Sequence, residues 1–150
     1  MPAGQDSVYK VVLAPALVDQ SAANTLSAVI DTQGYDRVTF IYQLGGIVNG
    51  GSLSTWAVSS AESNLGNATN MTNAENTSQQ IALTNVTNTY NNTVQVLDIY
   101  RPPNRYVGVY VDAVTANITL LGVIAKLERG TGTNPASLTT GWQHVKMRAS

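Results

Sequence analysis

Residues 35–45, YDRVTFIYQLG, carry the pattern around which the rest of the chain can be interpreted. From Val38 onward, alternate positions give one apolar face of the stretch, which consists of Val38, Phe40, Tyr42 and Leu44. The positions between them give a mixed row, which is Arg37, Thr39, Ile41 and Gln43. A period of two in residues that suit a pleated surface predicts a β-strand with one buried face. Burying this apolar face would contribute roughly 1.5–3 kcal/mol to the free energy of folding for each large side chain.

Two later stretches are predicted to pair with this strand. Residues 105–113, RYVGVYVDA, place valines on one face, and residues 118–127, ITLLGVIAKL, are apolar on both faces. Three such strands would make a sheet with an apolar side. The predicted core consists of Val38, Phe40, Tyr42, Leu44, Val107, Val109, Val111, Leu121 and Val123.

Further short strands are predicted on both sides of this group, at residues 8–13, 21–31, 53–60, 81–86 and 93–100. The glycine-rich segment 45–52, GGIVNGGS, lacks the lysine that a phosphate-binding loop needs, so we interpret it as a hairpin turn leading into 53–60. Seven or eight short strands without a clear helix predict an all-β fold, an antiparallel β-sandwich or jelly roll.

The regular pattern ends after Glu128, where glycines and a proline follow one another. We therefore predict a sandwich domain at residues 8–129, with an N-terminal arm at 1–7 and a C-terminal arm at 130–150. One interpretation of the C-terminal arm is a disordered tail. The other is a tether in which Trp142, Val145 and Met147 dock on a partner.

The composition favours a protein that works packed against others. Of the 150 residues only 11% are charged, and Asn, Thr, Ser and Gln must cover much of the surface. The net charge of −1 gives no field that favours nucleic acid or an anionic membrane. The chain has no cysteine, its first ten residues do not resemble a signal peptide, and its apolar runs are too short to span a bilayer.

The residues for a reaction centre are sparse, so we expect no enzyme activity, no cofactor and no metal site. His144 is the only histidine, and it lies in the predicted tail. The aspartates are scattered, without the close spacing of a calcium loop. Asp98 and Asp112 could meet across strands as a glycosidase-like carboxylate pair, but two solvated acids near Arg101 and Arg105 are the expected arrangement.

Arg101 and Arg105 flank a stiff corner, Pro102-Pro103, which separates two predicted strands. We expect at least one of these arginines to pair with an acid of its own chain or of a neighbouring subunit, with Asp98 and Asp112 as candidates. Both arginines are therefore candidate partner-binding residues. Trp56 and the tyrosines could form a sugar-binding platform, although their alternation predicts core positions.

The chain resembles a known group of proteins in several successive segments. The stretch SAVIDTQGYDRVTFIYQLGGIVNGG is followed by a strand with Trp56, then by DIYRPPNRYVGVYVD, and then by ITLLGVIAKLERG. Over about residues 20–130, this order is similar to that of the small β-sandwich or jelly-roll structural proteins of tailed bacteriophages, including the capsid decoration (cement) proteins.

The resemblance implies a function but no active-site residues. It implies a homotrimer on the exterior of the virion that binds the major capsid protein and ties neighbouring capsid subunits together. A carbohydrate- or receptor-binding module of a head or tail fibre is the alternative, and an enzyme with a β-sandwich fold is a third possibility. These are expectations from fold and context, since a fold alone does not fix a function.

Overall fold

The computed structural model describes residues 7–19, 21, 24–72, 80–129 and 144–148. These ranges contain β-strands and one short 3₁₀ turn, Asn88–Tyr90. In the described part of the chain, no helix has the length and apolar character that crossing a membrane requires. The strands are β1 Ser7–Leu13, β2 Ala16–Val18, β3 Thr25–Leu26, β4 Ile30–Asp31, β5 Arg37–Ile47, β6 Ser52–Ser60, β7 Thr69–Asn70, β8 Ala82–Thr87, β9 Val94–Tyr100, β10 Tyr106–Val114, β11 Ile118–Glu128 and β12 His144–Arg148.

The strands form two antiparallel sheets. Sheet A has the order β1-β11-β5-β9-β12, and β2 also pairs with β11. Sheet B has the order β3-β10-β6-β7, with β4 also on β10 and β8 also on β6. The chain passes from one sheet to the other repeatedly, so residues distant in sequence become neighbours in each sheet.

The topology is that of a jelly roll. Three pairs of short strands, β1 with β2, β3 with β4 and β7 with β8, each share one neighbour and count as single interrupted strands. Sheet A then contains β1/β2, β11, β5 and β9, and sheet B contains β3/β4, β10, β6 and β7/β8. Two four-stranded sheets in this order are the double Greek key of a jelly roll, with β12 added beside β9. The predicted all-β fold is confirmed.

The core lies between the sheets and is built around the apolar face that the sequence predicts for residues 38–44, now part of β5. Val38, Phe40, Tyr42 and Leu44 of β5 are fully buried, and the three predicted valines of β10 are buried opposite them. Every predicted core residue is buried except Leu121, which is 43% exposed.

A bulge explains why Leu121 is exposed although the alternation predicts that it is buried. The pairing of β11 with β5 shifts between Leu120 and Gly122, so that two residues of β11 lie opposite Gln43 of β5. Gly122 has a φ of +130°, and a Cβ there would lie 3.3 Å from the carbonyl oxygen of Leu13. Before the bulge the even-numbered residues of β11 point inward, and after it the odd-numbered residues do. Leu121 therefore faces solvent.

Two predicted pairings differ from the structure. Strand β11 does pair with β5, but β10 lies in the opposite sheet. Strands β5 and β6 are not a hairpin, because β5 belongs to sheet A and β6 to sheet B. The segment between them does make a tight turn, with Gly50 at a φ of +86°. That turn carries the chain across the sandwich instead of back along the same sheet.

A buried hydrogen bond links the two sheets through the core. The hydroxyl of Tyr42 in β5 lies 2.8 Å from the Oγ1 of Thr55 in β6. Thr55 donates its one hydroxyl hydrogen to the carbonyl oxygen of Tyr110 at 2.7 Å. Tyr42 must therefore be the donor to Thr55. Burial raises the pKa of Tyr42, so this hydroxyl keeps its proton at neutral pH.

The predicted arms are described only in part. Residues 1–6, 130–143 and 149–150 lie outside the described residues, and Ser7 already pairs with Glu128. The segment His144–Arg148 forms β12 on the edge of β9, so these five residues belong to sheet A instead of lying outside the sandwich. The physical reason is that β9 would otherwise leave a row of backbone N–H and C=O groups unpaired at the sheet edge.

Candidate interaction surfaces

The Pro-Pro corner joins the two sheets at one end of the sandwich. It follows β9 of sheet A and precedes β10 of sheet B. Arg101 begins it with a φ of +51°, which is uncommon for a residue with a side chain. Its backbone N–H donates to the carbonyl oxygen of Asp36 at 2.6 Å, and its guanidinium lies 5.2 Å from the ring centroid of Tyr100. The corner is therefore tied to the start of β5.

Arg105, at the other end of the corner, forms an ion pair with its own chain. It donates two hydrogen bonds to Asp31, from Nε to Oδ1 at 2.8 Å and from Nη2 to Oδ2 at 2.7 Å. The guanidinium lowers the pKa of Asp31 to about 2, with help from the backbone N–H of Gln33. The prediction that one arginine pairs with an acid is confirmed, but both suggested partners, Asp98 and Asp112, are wrong for Arg105.

The corner borders a polar cleft of about 310 Å³. Its lining is residues 101–105 together with Thr32, Tyr35 and Asp36. Thr32 is held against the corner, because both its N–H and its hydroxyl donate to the carbonyl oxygen of Arg105, at 2.9 and 2.7 Å. The two arginines predicted as partner-binding residues thus lie on the wall of one concave, hydrogen-bonding surface.

Asp98 belongs to a second ion-pair cluster, which the sequence did not predict. This aspartate is only 6% exposed, and it accepts two hydrogen bonds from Arg37, one of them from Nε at 2.8 Å, and one from Thr39 at 2.9 Å. The hydrogen bond to Asp98 raises the pKa of Arg37. The signal available was an acid inside the apolar stretch VQVLDIY, since an acid there needs a cationic partner.

The possible pair of Asp98 with Asp112 is not formed. Asp98 lies on the outer face of sheet A beside Thr39, and Asp112 lies in β10 of sheet B opposite Ser54. The two carboxylates are therefore on different sheets of the sandwich. A glycosidase-like pair made of these residues is excluded by the topology.

The outer face of sheet A carries a row of aliphatic side chains, exposed at one end and half-buried at Ile41 and Val96, which we call the apolar row. Its members are Val11 of β1, Ile124 of β11, Ile41 of β5 and Val96 of β9, each directly opposite the next. Val11 is 68% exposed and Ile124 is 36% exposed. A continuous aliphatic row of this kind on the outside of a sheet is typical of an interaction surface.

Next to the apolar row, the sheet surface dips into a groove of about 420 Å³. The groove lies beside the bulge in β11 and the break between β1 and β2. Its lining is almost entirely hydrocarbon and consists of Val11, Leu13, Pro15, Ile41, Gln43, Val94 and residues 121–124. The sequence pointed to Leu121 as a core residue, whereas the structure places it on this accessible surface.

The outer face of sheet B carries an aromatic pair. Trp56 of β6 lies opposite Tyr110 of β10, with ring centroids 5.5 Å apart and an angle of 21° between the rings. Both side chains are half-buried, and their sequence neighbours Thr55 and Val111 point into the core. The expectation that these aromatics belong to the core is therefore wrong for Trp56 and Tyr110, while Tyr42 is a core residue.

The remaining predicted partner-binding residues lie in the C-terminal segment. Trp142 lies outside the described residues. Val145 and Met147 are in β12, where their backbones pair with Asp98 and Val96 of β9. In the described residues, the backbones of Val145 and Met147 thus lie on the edge strand of sheet A, whereas Arg101 and Arg105 lie at the corner between the sheets.

No site for a metal ion is found within the described ranges, where no three His, Cys, Asp or Glu side chains cluster. No protein-family model matches the chain, and no curated protein matches it. Any statement about function therefore depends on the surfaces of the two sheets and of the corner.

Proposed function

We propose that the protein is a virion structural protein of the capsid decoration type, which binds the outer capsid surface as associated copies and stabilises contacts between major capsid subunits. The observation that carries this proposal is the apolar row with its adjoining groove on the outer face of sheet A. A protein that works alone in water gains nothing from a continuous exposed hydrocarbon surface. In this proposal the protein acts by binding and not by catalysis.

Three further features support the proposal. The jelly roll is an architecture used by viral capsid proteins, although it also serves lectins and enzymes. The surface is poor in charge, with 11% charged residues in the chain, so it opposes close packing of many copies only weakly. The resemblance of residues 20–130 to phage decoration proteins points to the same class, with a homotrimer as the expected assembly.

Within this proposal the corner acts as a second contact. Arg105 and Asp31 are each nearly half exposed and hold each other in a fixed geometry at the edge of the polar cleft. A rigid bidentate pair of this kind presents the remaining N–H groups of the guanidinium to a partner. Trp142, Val145 and Met147 remain proposed docking residues of the C-terminal segment.

The test is a binding experiment with expanded, emptied capsids of tailed phages. The purified chain is mixed with capsids stripped of their accessory proteins, and co-sedimentation measures occupancy. We expect saturable binding at a fixed number of copies per capsid and a higher melting temperature of the shell. A chain that leaves sedimentation and capsid melting unchanged on every capsid tried would contradict the proposal.

A carbohydrate-binding module is the second candidate, and the Trp56–Tyr110 stack favours it. Stacked aromatic rings on the outside of a sheet offer an apolar platform for sugar C–H groups, with Asp112 and Ser54 close by as hydrogen-bonding groups. The test is a glycan array with the wild-type chain and a Trp56→Ala variant. This candidate requires binding that the variant loses, whereas capsid binding should be the same for both chains.

A further inference from the structure

We propose that the outer face of sheet A is the surface through which copies of this chain associate, and that the apolar row is the centre of that contact. The occupant of this face is the same face of another copy. The inference rests on the part of the proposed function in which copies associate, and it is independent of binding to a capsid.

The exposure of the row is the first argument. Val11 and Leu121 are 68% and 43% exposed, and Ile124 lies between them in the sheet at 36%. These side chains lie close together on the adjacent strands β1 and β11 and are not scattered singly, so they form one patch. Removing such a patch from water stabilises an association by roughly 25 cal/mol for each Å² of apolar surface buried.

Charge is the second argument, because it selects the kind of partner. On β11, β5 and β9 the charged residues of this face are Arg37, Asp98, Lys126 and Glu128. They pair within the chain, Arg37 with Asp98 and Lys126 with Glu128, the latter at 2.7 Å. Two positive and two negative charges leave this part of the face neutral. A neutral face with internally satisfied charges does not repel a copy of itself, and it offers no net field to attract an oppositely charged partner.

Size is the third argument. Strands spaced ~4.8 Å apart and rising ~3.4 Å per residue give a five-stranded face of about 600 Å². A standard interface buries about 800 Å² on each partner, so the face is close to the size that a stable contact needs. Sheets that pack face to face are held ~10 Å apart by interdigitating side chains of this length. Two copies that meet through the same face are related by a two-fold axis, so this contact gives a dimer, and the proposed homotrimer would require a second, different contact.

The first test compares matched substitutions of exposed valines. Val11→Lys places a charge in the apolar row, and Val48→Lys places the same charge at a turn residue that is 56% exposed. Ile124→Thr is a milder change on the central strand β11. Mass is measured by light scattering at micromolar concentrations, and circular dichroism melting shows that each variant folds.

We expect an oligomer for the wild type and for Val48→Lys, and self-association weaker by about tenfold or more for Val11→Lys, because a lysine in a dry interface loses its hydration. Ile124→Thr should weaken association in the same direction. A wild type that is monomeric, or folded row variants that keep the wild-type mass, would overturn the inference.

The second test uses the absence of cysteine from the chain. Single variants Ile124→Cys and Val48→Cys are treated with a short bismaleimide, so that any cross-link joins two copies at the chosen position. Ile124→Cys should cross-link efficiently and Val48→Cys poorly, and equal cross-linking would count against the inference. Capsid binding of the same proteins is measured separately. Oligomers that do not bind capsids would support this inference and contradict the proposed function. A monomer that binds capsids would contradict this inference and support capsid binding.

Discussion

In the described part of the chain, a loop covers part of the outer face of sheet B, whereas several apolar side chains on the outer face of sheet A are exposed. On sheet B, Leu65 from the segment after β6 lies over Gly108, where a Cβ would be only 2.7 Å from the Leu65 Cδ1. Leu65 is 7% exposed as a result. On sheet A, Leu121 and Val11 remain in contact with water. Among the described residues, sheet B is thus covered by a loop at Gly108, whereas Val11 and Leu121 of sheet A are exposed, and this difference is why we propose the face of sheet A as the one that meets a partner.

The largest expected effect comes from making the same substitution on both faces. Leu65→Ala should lower the free energy of unfolding by about 2–3 kcal/mol, because it removes buried hydrocarbon above Gly108. Leu121→Ala should cost less than about 1 kcal/mol in the monomer, since that residue is already 43% exposed. Urea denaturation at concentrations low enough to keep the chain monomeric measures both. Equal losses would show that the two faces do not differ in this way.

The next effect concerns the hydrogen bond that holds the two sheets together beneath both faces. Thr55→Val leaves the Tyr42 hydroxyl buried without an acceptor, so we expect a loss of about 1–3 kcal/mol. Tyr42→Phe removes that hydroxyl and lets Thr55 keep its bond to Tyr110, so the loss should be nearer ~1 kcal/mol. Thermal and urea unfolding of the two variants gives the order. If Tyr42→Phe were the more damaging change, the assignment of Tyr42 as donor would be in doubt.

A smaller effect is expected when the ion pair on the face of sheet A and the ion pair at the corner are removed and their contributions to the free energy of unfolding are compared. Asp98→Ala should destabilise the fold by about 1.5 kcal/mol, because a nearly buried carboxylate and its hydrogen bonds to Arg37 and Thr39 are lost. Asp31→Ala should cost less, since both members of the Asp31–Arg105 pair are close to half exposed and water replaces the contact. The measurement is again denaturant unfolding. A larger loss for Asp31→Ala would mean that the corner and not the sheet face holds the sandwich together.

The smallest expected effect is a dependence on pH at the corner. The folded pKa of Asp31 is lowered to about 2, below its ordinary value of 3.8, so its pairing contributes stability above about pH 4. That contribution is lost as the pH falls from about 4 through about 2, where the carboxylate becomes protonated in both states. The melting temperature of the wild type should therefore exceed that of Asp31→Asn at pH 6, and the gap should close near pH 2. A gap that stayed constant with pH would exclude the ion pair as its source.

The sequence predicted well what depends on local alternation. Val38, Phe40 and Leu44 were assigned correctly because burial follows from their own period of two along β5. Leu121 was assigned wrongly because its direction depends on a bulge, which is set by the backbone of Gly122 and by its pairing with β5. Alternation inside one strand cannot reveal where a partner strand shifts register.

Pairing between distant residues was the part that the sequence could not supply. Arg105 meets Asp31, which is 74 residues away, and nothing local to the corner distinguishes that acid from Asp98 or Asp112. The segment 45–52 has the glycines of a hairpin, yet β5 and β6 lie in different sheets, because turn chemistry specifies a reversal and not the sheet that receives the next strand. The apolar row was missed for the same reason, since its members come from four strands.

Gly122 also has a consequence for how the chain tolerates changes in length. The bulge separates two halves of β11 whose inward positions differ by one residue, so removal of Gly122 would make the strand continuous. Either Leu120 would then turn outward and Thr119 inward, or Val123 and Ala125 would leave the core. A one-residue insertion beside it would invert one half in the same way. Gly122 therefore fixes β11 to a single length.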